Sequence, residues 1–258
     1  MDNSFEVYTL FSSSKGNSVY IRAGRTRLLI DIGRSRKAIN DALVSVGSCL
    51  DEIDAIFITH AHSDHTCGLA AIAAKDWTPI HTTQQTAQQL FCKCAEERLT
   101  VHEERFSVDI GDVTVHSFVT PHDSHGSVGY VIDYKGSYRF GLCTDTGCIS
   151  REMAEELIHC DGVLIEANYD EDMLQKGPYP YYLKQRIVAN TGHLSNRKAA
   201  DLCCILARAG VKKIMLGHIS PENNLPELAL KTCCKGLLEK GYDDIDITVA
   251  DRYCPTRF

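Results

Sequence analysis

Long apolar runs are what this chain most plainly lacks. No uninterrupted hydrophobic stretch among its 258 residues approaches the length that spans a bilayer. The opening Met1-Asp2-Asn3-Ser4-Phe5-Glu6 has no basic region leading into an apolar core. A soluble, cytoplasmic protein with no membrane partner is the expectation. Also missing is any Cys-x-x-Cys pair, although cysteine itself is plentiful at 12 residues. The cysteines fall as the neighbours Cys203-Cys204 and Cys233-Cys234, as Cys92-x-Cys94, and singly. That distribution argues against a disulfide framework or a structural zinc ribbon and for reduced thiols in a reducing compartment. Nor is there an excess of positive charge, since 27 Lys and Arg against 34 Asp and Glu leave a formal net charge of −7. A protein that coats nucleic acid non-specifically needs clustered cations, which argues against that class but not against a local basic patch. No internal repeat or low-complexity linker divides the chain. Its 44% hydrophobic and 24% charged residues suffice for one large α/β domain over residues 1–258.

Metal-ligand side chains, by contrast, are concentrated in one place. The run Thr59-His60-Ala61-His62-Ser63-Asp64-His65 follows a strand-like stretch over residues 53–58 and sets four metal-ligand side chains into six positions. Three imidazoles and a carboxylate this close on an irregular turn can point two ways and serve two neighbouring cations. Nitrogen and oxygen donors together suit Zn, Mn or Fe better than Ca or Mg.

This run resembles the signature of the metallo-β-lactamase fold hydrolases, which implies further ligands at long range, each at the end of a strand. Three places fit. In Thr120-Pro121-His122-Asp123-Ser124-His125 an apolar stretch over 113–119 breaks at Pro121 and offers two histidines. Thr144-Asp145-Thr146-Gly147 follows a strand-like 138–143, and Gly217-His218-Ile219-Ser220 follows 211–216. The resemblance implies two divalent metal ions (Zn, Mn or Fe): His60, His62 and His122 on one, Asp64, His65 and His218 on the other, and Asp145 between them. His125 competes with His122, which is favoured by similarity to the ribonuclease J-like and YycJ-like branches. Asp31, closing a strand-like 26–31, is expected to orient one of the ligating histidines.

Alternation and helical spacing give strands over 5–11, 18–22, 26–31, 78–82, several within 107–143, then 162–167 and a last one over 245–249. Helices are expected over 35–46, 68–74, 84–94, 150–159, 195–209 and 225–240. Periodicity alone supports mixed α and β. The resemblance implies more, an α/β four-layer αββα metallo-β-lactamase sandwich with the site at one edge.

Such a fold leaves substrate open, so other segments must speak to it. Ser12-Ser13-Ser14-Lys15-Gly16-Asn17-Ser18 joins two strands with small residues and exposed amides, which suits phosphate oxygens through Ser14, Lys15 and Asn17. It reads equally well as a plain hairpin turn. Between residues 176 and 186, Lys176, Lys184 and Arg186 interleave with Tyr179, Tyr181 and Tyr182, giving charge for phosphates and flat rings for bases. A two-proline loop with packed tyrosines is the other reading of that stretch. Glu166-Ala167-Asn168-Tyr169-Asp170, then Gly192-His193-Leu194-Ser195-Asn196, then His218-Ile219-Ser220-Pro221-Glu222 follow in order. Together with the serine-rich turn, this set is most similar to the YycJ family of bacterial metallohydrolases, over about residues 5–251.

The resemblance implies a nuclease, with DNA favoured over RNA as nucleic acid substrate and exonuclease action from 5′ ends. The implied mechanism is phosphodiester hydrolysis by a hydroxide bridging the two metals. Asp64 and Asp145 then set charge and metal spacing, and His193 donates a proton to the leaving oxygen or holds the phosphate. A small-molecule hydrolase acting on a cyclic phosphate, lactone or thioester is the alternative; it predicts a narrow pocket closed by the tyrosine-rich segment.

Overall fold

The structure, a computed structural model, describes residues 4–258. Fourteen strands form along them: β1 (Phe5–Ser13), β2 (Gly16–Ala23), β3 (Thr26–Ile30), β4 (Ala55–Phe57), β5 (Ile80–Thr83), β6 (Leu99–His102), β7 (Ser107–Ile110), β8 (Val113–Val119), β9 (Val128–Tyr134), β10 (Tyr138–Cys143), β11 (Gly162–Glu166), β12 (Lys213–Gly217), β13 (Asp246–Val249) and β14 (Thr256–Arg257). The helices are α1 (Arg36–Ser45), α2 (Ser63–Thr66), α3 (Leu69–Lys75), α4 (Gln84–Leu90), α5 (Arg151–Leu157), α6 (Glu171–Lys176), α7 (Tyr181–Val188), α8 (Asn196–Ala209) and α9 (Pro226–Glu239).

The strands build two mixed seven-stranded sheets, ordered β14-β1-β2-β3-β4-β5-β6 and β13-β12-β11-β10-β9-β8-β7. Each opens with an antiparallel meander and continues with parallel strands, β3 to β6 in one sheet and β10 to β13 in the other. The two halves are thus built alike. Strand parity then dictates four layers. Leu28, Ile30, Ala55 and Phe57 face Val115, Tyr130, Leu142, Leu164 and Met215 in a core between the sheets. Their sequence neighbours Leu29 and Ile56 point outward onto a core that takes in Ile39, Leu43, Leu69, Ile72 and Leu90 of α1, α3 and α4. Val163, Ile165, Ile214 and Leu216 likewise point outward, onto a core shared with α5, α8 and α9. The αββα sandwich expected from the resemblance is what forms.

Several elements differ from the sequence expectation, β6 and α6 forming where none was expected. The last strand is β14, which pairs with β1 across the chain ends, and β13 precedes it. The second half of the ligand run is the one-turn helix α2 rather than an irregular turn. The lysine- and tyrosine-bearing stretch before Ala189 is largely helical, as α7, where a loop was the alternative reading. The β14 segment is two residues long and α6, α7 and α2 are at most eight, too short for periodicity to register. All twelve cysteines carry free thiols. Among the described residues no helix is long and apolar enough to cross a membrane.

Candidate metal centre

The predicted ligands come from the carboxyl ends of strands that run in one direction, which places them along one edge of the sandwich. Among the described residues, three of the four non-glycine positions with positive φ stand just past such ends: Asp31 after β3 (φ 64), Asp145 after β10 (φ 55) and His218 after β12 (φ 53). Left-handed backbone costs of order 1–3 kcal/mol at such residues and persists where surrounding contacts enforce it. At Asp31 those contacts are visible. Its carboxylate accepts from the Thr59 N–H and the Thr59 hydroxyl, both at 2.8 Å, pinning the start of the ligand run. Gly33 lies directly beneath, and a Cβ there would come within 1.8 Å of the Asp64 carbonyl oxygen.

Each candidate ligand histidine turns one ring nitrogen outward to the protein and the other inward. His60 Nδ1 faces the Thr59 hydroxyl at 3.1 Å, His122 Nδ1 the Gly192 carbonyl at 3.1 Å, His65 Nδ1 the Asp31 carboxylate at 2.7 Å, and His218 Nδ1 Glu166 at 2.8 Å. The inward nitrogens gather into two neighbouring groups that could hold a metal ion: His60, His62 and His122, and Asp64, His65, Asp145 and His218. In the first, His62 Nδ1 lies 3.1 Å from His60 Nε2 and 3.2 Å from His122 Nε2. Burial holds all three rings below the ordinary histidine range, His60 well below it. Neutral rings with converging lone pairs are a donor set for a cation.

Asp145 reaches toward both groups, with Oδ2 3.1 Å from His65 Nε2 and Oδ1 3.8 Å from His122 Nε2. Its Oδ2 is buried and takes no hydrogen bond, an orphaned oxygen aimed into the cluster. Charge balance points the same way. Asp31, Asp145 and Glu166 are 3%, 2% and 0% exposed, Asp64 is close by, and none of the four is paired with a lysine or arginine among the described residues. Burial alone would raise the Asp145 carboxyl, yet the surrounding rings, His218 first, hold it well below the carboxylate range. Buried carboxylates depend on such partners, because one left unpaired costs several kcal/mol. Two divalent cations on these donors would offset that charge, so residues and metals fit.

His125, the competitor for the third position, is exposed; its carbonyl accepts from the Gln89 side chain of α4 at 2.9 Å. The geometry therefore joins His122 to the cluster and leaves His125 outside. Residues that sequence reasoning left without a role also converge here. Glu166 Oε1 accepts from His193 Nδ1 at 2.7 Å as well as from His218, while Oε2 accepts from the Thr146 and Leu194 N–H groups. Burial alone would raise Glu166, but His193 and His218 hold it down to about 2. Asp123 Oδ1 stands 3.5 Å from His62 Nε2, the outward nitrogen of that ring. The signal for Glu166 was present in sequence, because an acid ending the apolar strand Val163-Leu164-Ile165 tolerates burial only with partners.

Above the metal donors opens a cleft of about 370 Å³ lined by residues that include Ser14, Asp64, Asp145, Tyr179, Arg186, His193 and Ser220. Of the sequence-predicted contacts, Ser14, Arg186 and His193 lie in that lining. Lys15 sits at the hairpin tip, paired with Glu222 at 2.9 Å. Asn17 is buried deeper, its amide 3.0 Å from His65 Nε2 and its oxygen accepting from the Ser13 N–H. Lys184 is turned away and donates to the carbonyls of Gln175 (2.7 Å) and Gly177 (2.8 Å), capping α6. Tyr182 is 74% exposed on the outer side of α7. Arg186 Nε pairs with Asp123 Oδ2 at 2.5 Å, tying α7 to the loop that carries His122.

Comparison with known proteins agrees with this geometry. A model described as a beta-lactamase superfamily domain matches residues 26–219. The exodeoxyribonuclease WalJ of Streptococcus pneumoniae is 36% identical over 240 residues, covering 91% of this chain and 89% of that protein. The exodeoxyribonuclease YycJ of Bacillus anthracis is 30% identical over 254 residues, 96% of this chain and 96% of that protein. Among solved structures, the metallo-beta-lactamase fold protein YhfI from Bacillus subtilis is similar with a TM-score of 0.75 at 14% identity, covering 99% of this chain and 100% of that one. At that identity the likeness speaks for the fold.

Proposed function

We propose that this chain, which belongs to the WalJ/YycJ family of the beta-lactamase superfamily, is a two-metal phosphodiesterase that removes nucleotides from DNA, working from 5′ ends. The observation that carries this reading is the pair of donor groups meeting at Asp145 on the floor of an open cleft. His60, His62 and His122 would hold one divalent ion, Asp64, His65 and His218 the other, with Asp145 shared; Zn, Mn and Fe all suit such donors. When bound, the ions supply positive charge for the phosphoryl oxygens and lower the pKa of water.

The chain's own residues do the rest. Asp64 and Asp145 balance charge and fix the spacing of the two donor groups. Glu166, as an ionised carboxylate, can only accept, so His193 carries its proton on Nδ1 when neutral and on both nitrogens when charged. Its Nε2 is then the atom that gives a proton to the leaving sugar oxygen. Ser14 and Arg186 line the cleft where phosphates would lie, Lys15 stands at its rim, and Tyr182 offers a ring outside it. α7 forms part of the cleft wall through Leu183, Arg186 and Ile187, and a second groove adjoins the cleft at Tyr179, which supports a polymer over the small ester, lactone or thioester of the alternative. Residues 1–258 are read as one domain on the strength of the shared inter-sheet core. Free thiols throughout suit a reducing cytoplasm.

The test is hydrolysis of 5′-labelled and 3′-labelled DNA and RNA by metal-replete protein, with Asp64→Ala and His193→Ala alongside. Stepwise shortening of DNA from the 5′ end, abolished by the first substitution and slowed by the second, is the expected result. Turnover of bis(p-nitrophenyl) phosphate with no cleavage of any polymer would reject the exonuclease reading in favour of a small phosphodiester.

A further inference from the structure

We infer that the groove between α6 and α7 is a binding site for one unstacked nucleobase of the substrate strand, next to the metal cleft; this rests on the exonuclease reading above. The groove is a second cavity of about 380 Å³ whose lining includes Tyr169, Leu174, Gln175, Tyr179, Tyr181 and Gln185. It adjoins the metal cleft across Tyr179, which lines both.

The chemistry of the lining selects the occupant. Its charged groups are already engaged: Glu171 pairs with Arg197 at 3.1 Å, and the Lys184 ammonium donates to two carbonyls. No free cation is left there to meet a phosphate. What remains is an apolar floor of Leu174 and Tyr169, both nearly buried, with the phenol rings of Tyr179 and Tyr181 and the side-chain amides of Gln175 and Gln185. Ring faces with a few amides suit a flat, neutral, heteroaromatic group, and every base has a face to stack. Tyr181 is 76% exposed and has no packing role that explains it, whereas Leu183 and Ile187 of the same helix pack inward with Leu174 and Tyr169. The groove thus takes the ring while the cleft takes the phosphate. A strand whose end lies over the metals passes the shared Tyr179 wall on the way.

The test moves a single abasic residue stepwise along single-stranded DNA from its 5′ end and measures kcat/KM of the full-length, metal-replete enzyme. Binding is measured on phosphorothioate-linked copies of the same strands by fluorescence anisotropy. One register should lose about ten-fold in both readouts, in keeping with the loss of one stacked base. Tyr181→Ala should lose about the same on unmodified DNA and nothing further at that register. Gln185→Ala, on the same exposed side of the helix, gives a second variant with the same expectation and a smaller loss. Equal tolerance of every abasic position, or losses from Tyr181→Ala and the abasic residue that multiply, would overturn the inference. The two readings separate cleanly: cleavage retained with a flat scan rejects the base pocket alone, and a sharp register in binding without cleavage rejects the exonuclease reading alone.

Discussion

Glu166 holds His193 through Nδ1 at 2.7 Å, and the same carboxylate oxygen holds His218 at 2.8 Å. With the Thr146 and Leu194 N–H groups on Oε2, every partner of this carboxylate is a donor. Glu166→Gln therefore sets an amide N–H₂ against a donor whichever way it turns. The expected cost is on the order of 1–3 kcal/mol of stability. A fall of roughly 10²-fold in kcat with little change in KM should accompany it, since general acid catalysis contributes at least that. Thermal unfolding and steady-state kinetics on labelled DNA read the two effects separately; wild-type kcat in the variant would remove Glu166 from any part in positioning His193.

A second prediction concerns Asp31, whose carboxylate accepts from His65 Nδ1 at 2.7 Å and anchors Thr59. Removing the outer partner of a ligating histidine costs about 10–100-fold in metal affinity. Asp31→Asn should lower affinity by that amount for the ion held by Asp64, His65 and His218, and leave the ion on His60, His62 and His122 more tightly held. Competition titration with a chromophoric chelator would resolve two unequal sites in the variant. Two unaltered affinities would separate Asp31 from the metals.

Much of this centre was legible because four candidate ligands are local in sequence, and the family resemblance they carry directs the search for the distal candidates to strand ends. The choice between His122 and His125 was not, for both stand in one turn. It is decided by distant partners, the Gly192 carbonyl holding His122 Nδ1 and α4 holding the His125 carbonyl. Lys184 was misleading for a related reason. A lysine among tyrosines reads as a phosphate contact, but its ammonium caps α6, a helix six residues long that periodicity does not register. The four layers were legible only through the resemblance, since periodicity alone supports no more than mixed α and β, and β14, two residues long and paired to β1 across the whole chain, was not legible at all.

That contrast between two basic residues of α7 gives a third prediction. Arg186 lines the metal cleft and is paired with Asp123, whereas Lys184 faces away. Arg186→Ala should raise KM for DNA several-fold and reduce the salt slope of binding by about one, as losing one phosphate contact does. Lys184→Ala should leave the salt slope unchanged and instead loosen α6, visible as faster amide exchange over residues 171–177. Equal salt slopes in the two variants would contradict the placement of Arg186 as the phosphate contact.

Metal removal is the fourth and most general case. Asp31, Asp64, Asp145 and Glu166 crowd one edge of the sandwich without lysine or arginine partners among the described residues, so chelation should affect the fold as well as activity. Linkage sets the scale: each ion present at a hundred times its dissociation constant stabilises the folded chain by about 2.7 kcal/mol. For a chain of this size that corresponds to roughly 5–10 °C in Tm per ion. Chelation should therefore abolish hydrolysis and lower Tm by at least that much. Re-addition of Zn or Mn should restore both, in two steps if the donor groups fill in turn. An unchanged Tm after verified removal of the metal would mean that the histidines balance these carboxylates on their own, by taking up protons. In that case Asp145→Asn, by removing the partner of the protonated rings, would lower the stability of the metal-free chain at neutral pH, where the two-metal reading has it lower metal affinity instead.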